Sequence, residues 1–131
     1  MPKLYFFILA VLGGALGSVC RFLFAYANTL ILPHDTFIAT LLVNILGCLV
    51  IGYLFVFVNL KKHPYLEVFS VVGFCGGFTT YSSFMLDNYQ LITAGRIEMF
   101  LLYFFISIII CFVFVYIGAF AGHIIHREYK E

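Results

Sequence analysis

The sequence predicts an all-α integral membrane protein, as indicated by its hydropathy, its few charges and the length of its uncharged segments. Of 131 residues, 64% are hydrophobic and 10% are charged, and the mean hydropathy is +1.11. Soluble domains are roughly 45–50% apolar and about 25% charged. The composition therefore excludes a soluble enzyme. A net charge of +1 also offers no basic surface to a nucleic acid partner.

The gaps between charged residues predict four transmembrane helices. The four spans are residues 4–32, 37–60, 68–86 and 99–122. Each comes close to or exceeds the roughly 20 residues that a helix needs to cross the hydrocarbon core. The only charge within them is Arg21, and Asp87 borders the third span. We therefore expect one four-span domain over residues 1–131, with residues 87–98 as a loop.

Positive charge is concentrated on one side of this arrangement. Four spans put both termini on the same side, together with the loop between the second and third spans. Five basic residues lie on that side: Lys3, Lys61, Lys62, Arg127 and Lys130. The opposite side has only Arg96. The positive-inside rule predicts that both termini of this plasma-membrane protein are cytoplasmic.

The first span contains small residues and one cation. Gly13, Gly14 and Gly17 have the spacing that lets a second helix approach closely. Arg21 lies well inside the span, where a guanidinium is costly unless it is paired or reaches water. Two interpretations stay open: Arg21 snorkels to an interface, or it has a functional role, either fixing the architecture or contacting an ion.

The second span has two polar residues on one helix face. Thr40 and Asn44 are four positions apart, which places them one turn from each other. In lipid, the amide of Asn44 must form hydrogen bonds. It either clamps two helices together or acts as a donor lining a polar pathway, and taken alone it favours the clamp.

The third span predicts a helix that is broken near the middle of the membrane. Residues 73–84 read GFCGGFTTYSSF, a glycine pair followed by four hydroxyl residues. Each glycine disfavours helix by about 1 kcal/mol relative to alanine. Such a break is tolerated where protein or a polar cavity covers it, and it frees carbonyl groups that can coordinate a cation. The alternative is a packing kink whose hydroxyls bond back to the helix.

The fourth span predicts a short polar track. Tyr103, Ser107 and Cys111 follow at intervals of four and share one helix face, but the next position, Val115, is apolar. Each span holds one cysteine, with no metal-binding spacing, so we expect buried thiols that act as small apolar side chains.

The polar residues within the spans favour an anion. They are mainly donors: Arg21, Asn44, Thr79, Thr80, Ser82, Ser83, Tyr103 and Ser107. No carboxylate lies within a predicted span, which argues against a proton- or cation-coupled exporter. Nothing resembles a nucleophile paired with a base, so no enzymatic activity is expected. Aromatic ring edges carry partial positive charge and suit the same ligand. Four helices hardly enclose a pore, so we expect an oligomer, most simply a dimer.

Three ordered motifs resemble the Fluc (CrcB-type) family of fluoride channels. Residues 73–84 resemble that family's G-x-C-G-G-x-T-T-F-S-T-F signature. Residues 40–44, TLLVN, are similar to its G-T-L-x-V-N motif, with Ala39 in place of the glycine. Gly13-Gly14 followed by Arg21-Phe22 resembles its first-span motif, so the likeness covers nearly the whole chain.

The resemblance implies an antiparallel, dual-topology dimer in the lipid bilayer that exports fluoride passively and relieves its toxicity. The implied pathway comprises Asn44, Tyr81, Phe84, Tyr103 and Ser107, and the neighbouring hydroxyls complete it: Thr40, Ser82 and Ser83. The resemblance also implies a central Na⁺ held by the main-chain carbonyls of Gly76 and Thr79 from both subunits.

Departures from the family pattern keep a second arrangement open. Tyr81 stands where the family has phenylalanine, while Cys111 and Val115 stand where it has serine and threonine. Together with the charge bias, these changes support an alternative to the homodimer: this chain is the non-conducting half of an inverted heterodimer. A small four-helix multidrug exporter is the alternative from another class.

Overall fold

The computed structural model describes residues 2–31, 36–61 and 63–127, and all regular structure in these ranges is helical. The elements are α1 (Pro2–Ile31), α2 (Thr36–Lys61), α3 (Pro64–Glu67), a π-helical stretch (Val68–Cys75), α4 (Gly76–Phe78), α5 (Tyr81–Thr93) and α6 (Ile97–Arg127). Lys62 and Lys130, two of the charges behind the predicted orientation, lie outside the described residues.

Four helical segments in the described ranges are long and apolar enough to cross a membrane. They are Lys3–Ile31, Phe37–Asn59, Pro64–Thr93 and Ile97–Ile125. The all-α, four-span prediction is confirmed. The third segment is longer than predicted at both ends and is the only one of the four built from several short helices.

α1 packs against the first half of the third span, and glycine makes this contact possible. A Cβ atom added to Gly13 would lie 2.1 Å from the carbonyl oxygen of Phe69. A Cβ atom at Gly77 would lie 2.3 Å from the carbonyl oxygen of Gly14. Both distances are shorter than any side chain permits, so the two backbones touch where the sequence predicts close helix packing.

α2 and α6 form the other tight pair, and this pair has the most extensive contact in the molecule. A Cβ atom at Gly52 would lie 2.2 Å from the carbonyl oxygen of Val115. A Cβ atom at Gly118 would lie 2.1 Å from the carbonyl oxygen of Leu49. With any larger residue at these two positions, α2 and α6 would have to move apart. α6 is the helix that carries the predicted polar track.

The expected loop at residues 87–98 is wrong, because α5 continues to Thr93. Gly95 follows the end of the helix with a φ of 72°, and the Arg96 N–H bonds to the carbonyl of Leu91 at 2.9 Å. This is the usual glycine-terminated helix end. Asp87 therefore lies within the third span and is buried. The expectation that no span contains a carboxylate is also wrong.

The core lies between α2, α5 and α6. Its central buried cluster consists of Phe84, Leu91 and Tyr103, packed against partly buried side chains that include Phe37 and Phe104. Most other large apolar side chains are exposed, especially along α1 and α6. Such a surface suits lipid or a partner chain, because water would not solvate it.

Candidate functional site

The third span breaks between α4 and α5, as predicted. α4 ends at Phe78, and both Thr79 (ψ 156°) and Thr80 (φ −146°, ψ 115°) have extended backbone. α5 begins at Tyr81. The break leaves main-chain groups without their regular helical partners, so other parts of the chain must satisfy them.

Asn44 provides two of these bonds. Its Nδ2 donates to the carbonyl of Thr80 at 3.0 Å, and its Oδ1 accepts from the N–H of Thr80 at 2.8 Å. The amide therefore clamps the break to α2, the role that its sequence position favours. An amide has two N–H donors, and this pair of bonds uses only one of them.

The hydroxyl of Thr80 starts the second half of the span. Its Oγ1 accepts from the N–H of Ser83 at 3.1 Å, which caps α5, and it also donates to the Ser83 hydroxyl at 3.1 Å. The Ser82 hydroxyl lies 3.2 Å away. N-terminal caps of this kind stabilise a helix by about 1 kcal/mol. The Thr80 hydroxyl thus restarts the helix after the break.

Arg21 holds the other side of the break. Its Nε donates to the carbonyl of Gly77 at 3.1 Å, and the Ser18 hydroxyl lies 3.4 Å from the same oxygen. Gly77 is in the last turn of α4, where a cation is favoured by the helix dipole. This bond is the contact expected of an arginine that fixes the architecture.

A first cavity of about 310 Å³ lies beside the break. Its walls include Asn44, Thr79, Tyr81, Phe84 and Ser107. It therefore gathers four of the predicted pathway residues from three helices. Among the described residues, none of those that line it is an aspartate, glutamate, lysine or arginine.

A second cavity, of about 290 Å³, lies on the other side of Thr80, which lines both. It brings together Arg21, Thr40, Ser83 and Asp87. Most of the predicted pathway residues are thus divided between two cavities that share Thr80. Ser82 and Tyr103 line neither of them.

Three aromatic rings form a chain from the first cavity into the core. The ring centroids of Tyr81 and Phe84 are 6.1 Å apart, and those of Phe84 and Tyr103 are 5.3 Å apart. Phe84 is only 6% exposed, whereas Tyr81 is 74% exposed. The two predicted ring positions are therefore adjacent, but within one chain only Phe84 is covered.

The predicted track on α6 is present for two turns. Tyr103 and Ser107 are buried, and Cys111 is half-buried beside the first cavity. Among the described residues, the hydroxyl oxygen of Ser107 has no hydrogen-bond partner. A buried hydroxyl without a partner is unfavourable, so this group is available to a ligand.

Asp87 is the site residue that sequence reasoning missed. It is 8% exposed, and its Oδ2 accepts from the Tyr103 hydroxyl at 3.2 Å. Because charged residues were used to mark the ends of the spans, Asp87 was assigned to a loop. Its distance of four positions from Ser83 was the available signal, since that spacing puts both residues on the same face of a continuing helix.

Two main-chain carbonyls at the break are suited to a cation. In a continuous helix the Gly76 carbonyl would accept from the N–H of Thr80, but that N–H bonds to Asn44. Thr79 has extended backbone, so its carbonyl also leaves the helical ladder. Gly76 is exposed, and a Cβ atom there would meet nothing within 4 Å. Among described side chains, no group of three His, Cys, Asp or Glu residues could hold a metal.

Comparison with known proteins agrees with this geometry. A family model described as CrcB-like protein, Camphor Resistance (CrcB), matches residues 8–119. That range includes the break, the residues that line the first two cavities, the whole of the second and third spans and most of the other two.

Several curated relatives carry the name fluoride-specific ion channel FluC. One from Azobacteroides pseudotrichonymphae is 43% identical over 105 residues, which cover 75% of this chain and 80% of the relative. One from Flavobacterium psychrophilum is 40% identical over 112 residues, 81% of this chain and 86% of the relative. One from Campylobacter hominis is 34% identical over 116 residues, which cover 87% of this chain and 92% of the relative. With four membrane-spanning helices and a match over most of its length, this chain is a multi-pass membrane protein that belongs to the CrcB family.

Proposed function

We propose that this protein is a fluoride-selective channel that exports F⁻ passively across the cell membrane. The observation that carries the proposal is the first cavity, where an amide, an unpartnered buried hydroxyl and aromatic rings meet without a charged side chain. The names of the curated relatives supply the identity of the ion. The geometry supports the proposal because a small anion needs closely spaced donors to replace its hydration shell.

Three kinds of donor act on the ion in this proposal. The second N–H of Asn44 remains after its bond to Thr80. The Ser107 hydroxyl lacks a partner among the described residues and can turn toward the cavity. The ring edges of Phe84 and Tyr81 carry partial positive charge. Each group is neutral, so the ion is not bound too tightly to leave.

The pathway is completed by a second subunit in the antiparallel orientation. Tyr81, which belongs to the pathway, is 74% exposed in one chain. An inverted second copy would cover it and close the open side of the first cavity. The charge bias of the sequence favours one orientation, with cytoplasmic termini. A homologue that inserts in the opposite orientation is therefore the alternative partner.

A structural Na⁺ at the centre of that dimer fits the carbonyls of Gly76 and Thr79. These groups have left the helical ladder at the break, and oxygen ligands suit a hard cation. When bound, the ion would neutralise the carbonyl dipoles and make the interior more favourable to an anion. Asn44 and Arg21 hold the break in the shape that exposes these oxygens.

The buried carboxylate of Asp87 makes a coupled exporter worth testing. An intramembrane acid is the usual proton carrier of such proteins. Asp87 instead bonds to Tyr103 and lies outside the walls of the first cavity. We therefore propose passive conduction without enzymatic or proton-coupled steps.

Fluoride efflux from liposomes that contain only this protein tests the proposal. Valinomycin balances charge, and chloride serves as the control anion. Fluoride release with chloride retained, at a rate independent of an imposed proton gradient, is the expected result. Release that requires the gradient would favour the exporter. No release from folded protein, rescued by adding a homologue of opposite charge bias, would favour the heterodimer.

A further inference from the structure

Two of the four cysteines face each other across the tight α2–α6 contact. Cys48 on α2 and Cys111 on α6 are free and half-buried, and both line the first cavity. Both also line a third, neighbouring cavity with Val115. Since the two residues share the walls of both cavities, their side chains lie next to each other on one surface.

The glycine contacts explain why these thiols meet. Cys48 lies one turn before Gly52, and Cys111 lies one turn before Val115. Since Gly52 brings α2 against the carbonyl of Val115, the preceding turns of both helices are also close. The pairing therefore follows from backbone contact and does not depend on a flexible loop.

We propose that Cys48 and Cys111 form a two-coordinate dithiolate site for a soft divalent cation of the Hg²⁺ class, on the wall of the ion pathway. Hg²⁺ forms two Hg–S bonds, each thiol releases one proton, and no electrons are transferred. Soft thiolates select soft metals. A dication with two thiolates is neutral, so the complex avoids the cost of a buried net charge.

The same geometry disfavours zinc. Structural Zn²⁺ takes four ligands, and the described side chains provide no group of three potential metal ligands around these thiols. Because both sulfurs line the first cavity with Asn44 and Ser107, the bound metal would narrow the proposed fluoride pathway. This consequence rests on the proposed function, whereas metal binding does not.

Binding is measured on purified full-length protein by titration with HgCl₂, using the ultraviolet thiolate-to-mercury charge-transfer absorbance. We expect one tight equivalent per chain. Removing one arm of a chelate costs on the order of 100-fold in affinity, so Cys111→Ser and Cys48→Ala should each weaken binding by that factor. Cys20→Ser, a cysteine change on α1 away from both cavities, is the matched control and should leave the tight equivalent intact.

The outcomes separate the metal site from the channel. Tight binding that survives both Cys48→Ala and Cys111→Ser, or that Cys20→Ser abolishes, would overturn the site. Each variant is checked by size-exclusion chromatography, and Cys111→Ala replaces any that does not fold. In liposomes, stoichiometric Hg²⁺ should stop fluoride efflux by the Cys20→Ser protein, whereas Cys111→Ser, whatever its own metal-free rate, should keep that rate when Hg²⁺ is added. Efflux that continues at saturating Hg²⁺ would show that the bound metal does not narrow the fluoride pathway. Tight binding by a protein that shows no efflux even without metal would contradict only the channel function.

Discussion

Asn44 bonds to both main-chain groups of a single residue, Thr80, which lies 36 positions later in the chain. The two bonds, 3.0 and 2.8 Å long, replace those that a continuous third helix would have supplied. A break in lipid is stable only when its polar groups are satisfied by protein. This side chain therefore connects α2 to the break and positions α5, which carries Tyr81 and Phe84.

Replacing Asn44 should destabilise the break. Asn44→Ala leaves the N–H and the carbonyl of Thr80 without partners, at a cost of about 1–3 kcal/mol for each group. We expect a lower Tm in detergent and loss of fluoride flux. Asn59→Ala is the matched control, because Asn59 lies on the same helix, is exposed and donates to the carbonyl of Phe55 in its own helix. Equal Tm shifts in the two variants would contradict the role of Asn44.

Arg21 should act through geometry as well as charge. Its Nε donates to the carbonyl of Gly77, a directed bond that lysine cannot reproduce from the same position. Both Arg21→Lys and Arg21→Gln should lower the free energy of unfolding by about 1–3 kcal/mol, as expected when a charged hydrogen bond is lost. Thermal unfolding measures this. Arg96→Gln, in the exposed turn after α5, should change the Tm little. If Arg21→Lys has the same Tm as the unmutated protein, a positive charge at this position is enough for stability and the directed bond is not needed.

Phe84 should be required for flux more than for folding. Phe84→Ile keeps an apolar side chain in a 6% exposed position but removes the ring beside Tyr81 and Tyr103. Core substitutions of similar volume usually cost less than about 1.5 kcal/mol, so the protein should fold. Fluoride efflux should fall at least tenfold, about 1.4 kcal/mol of barrier.

Two further variants test whether the ring edge matters. Tyr81→Phe should retain flux, because the ring and its edge remain. Phe105→Ile removes a ring that is 57% exposed on α6 and should have no effect. Loss of flux in Phe105→Ile would mean that the Phe84 result reflects a general need for aromatic packing.

The Tyr103–Asp87 hydrogen bond should show strong coupling. Tyr103→Phe removes the donor and leaves the Asp87 carboxylate buried without it, whereas Asp87→Asn removes the charge itself. Because a buried charge that loses a hydrogen-bond donor costs more than a neutral amide, Tyr103→Phe should lower the free energy of unfolding more than Asp87→Asn does.

A double-mutant cycle measures that coupling. We expect an interaction free energy of about 0.5–3 kcal/mol, read from unfolding in detergent. Tyr89→Phe removes a hydroxyl from an exposed tyrosine on α5, the helix that carries Asp87, and should be neutral. Additive effects of Tyr103→Phe and Asp87→Asn would show that the two side chains are independent.

The features that depend on local sequence could be predicted. Uncharged length predicts the four spans because lipid imposes a minimum length on each helix. The glycine pair and the hydroxyls predict the break because they disfavour a helix wherever it is packed. Gly13 and Gly17 predict close packing because only a missing side chain allows it.

Features that depend on contacts between distant residues could not be predicted. Charge marking put Asp87 in a loop, because nothing local indicates that Tyr103 from another helix donates to it. The amide of Asn44 was compatible with a clamp or with a pathway donor, and its two bonds to Thr80 decided for the clamp while leaving one N–H for a ligand.

The sequence by itself determined the membrane class, the four spans, the broken third helix and the donor-rich chemistry, because hydropathy and helix propensity act over a few neighbouring residues. Only the tertiary structure decided which donors meet in each cavity, where Arg21 is anchored and that Cys48 faces Cys111. Those relationships depend on how closely and at what offset the helices pack. Backbone contacts at Gly13, Gly52 and Gly118 set that packing, and their partners lie tens of residues away in the chain.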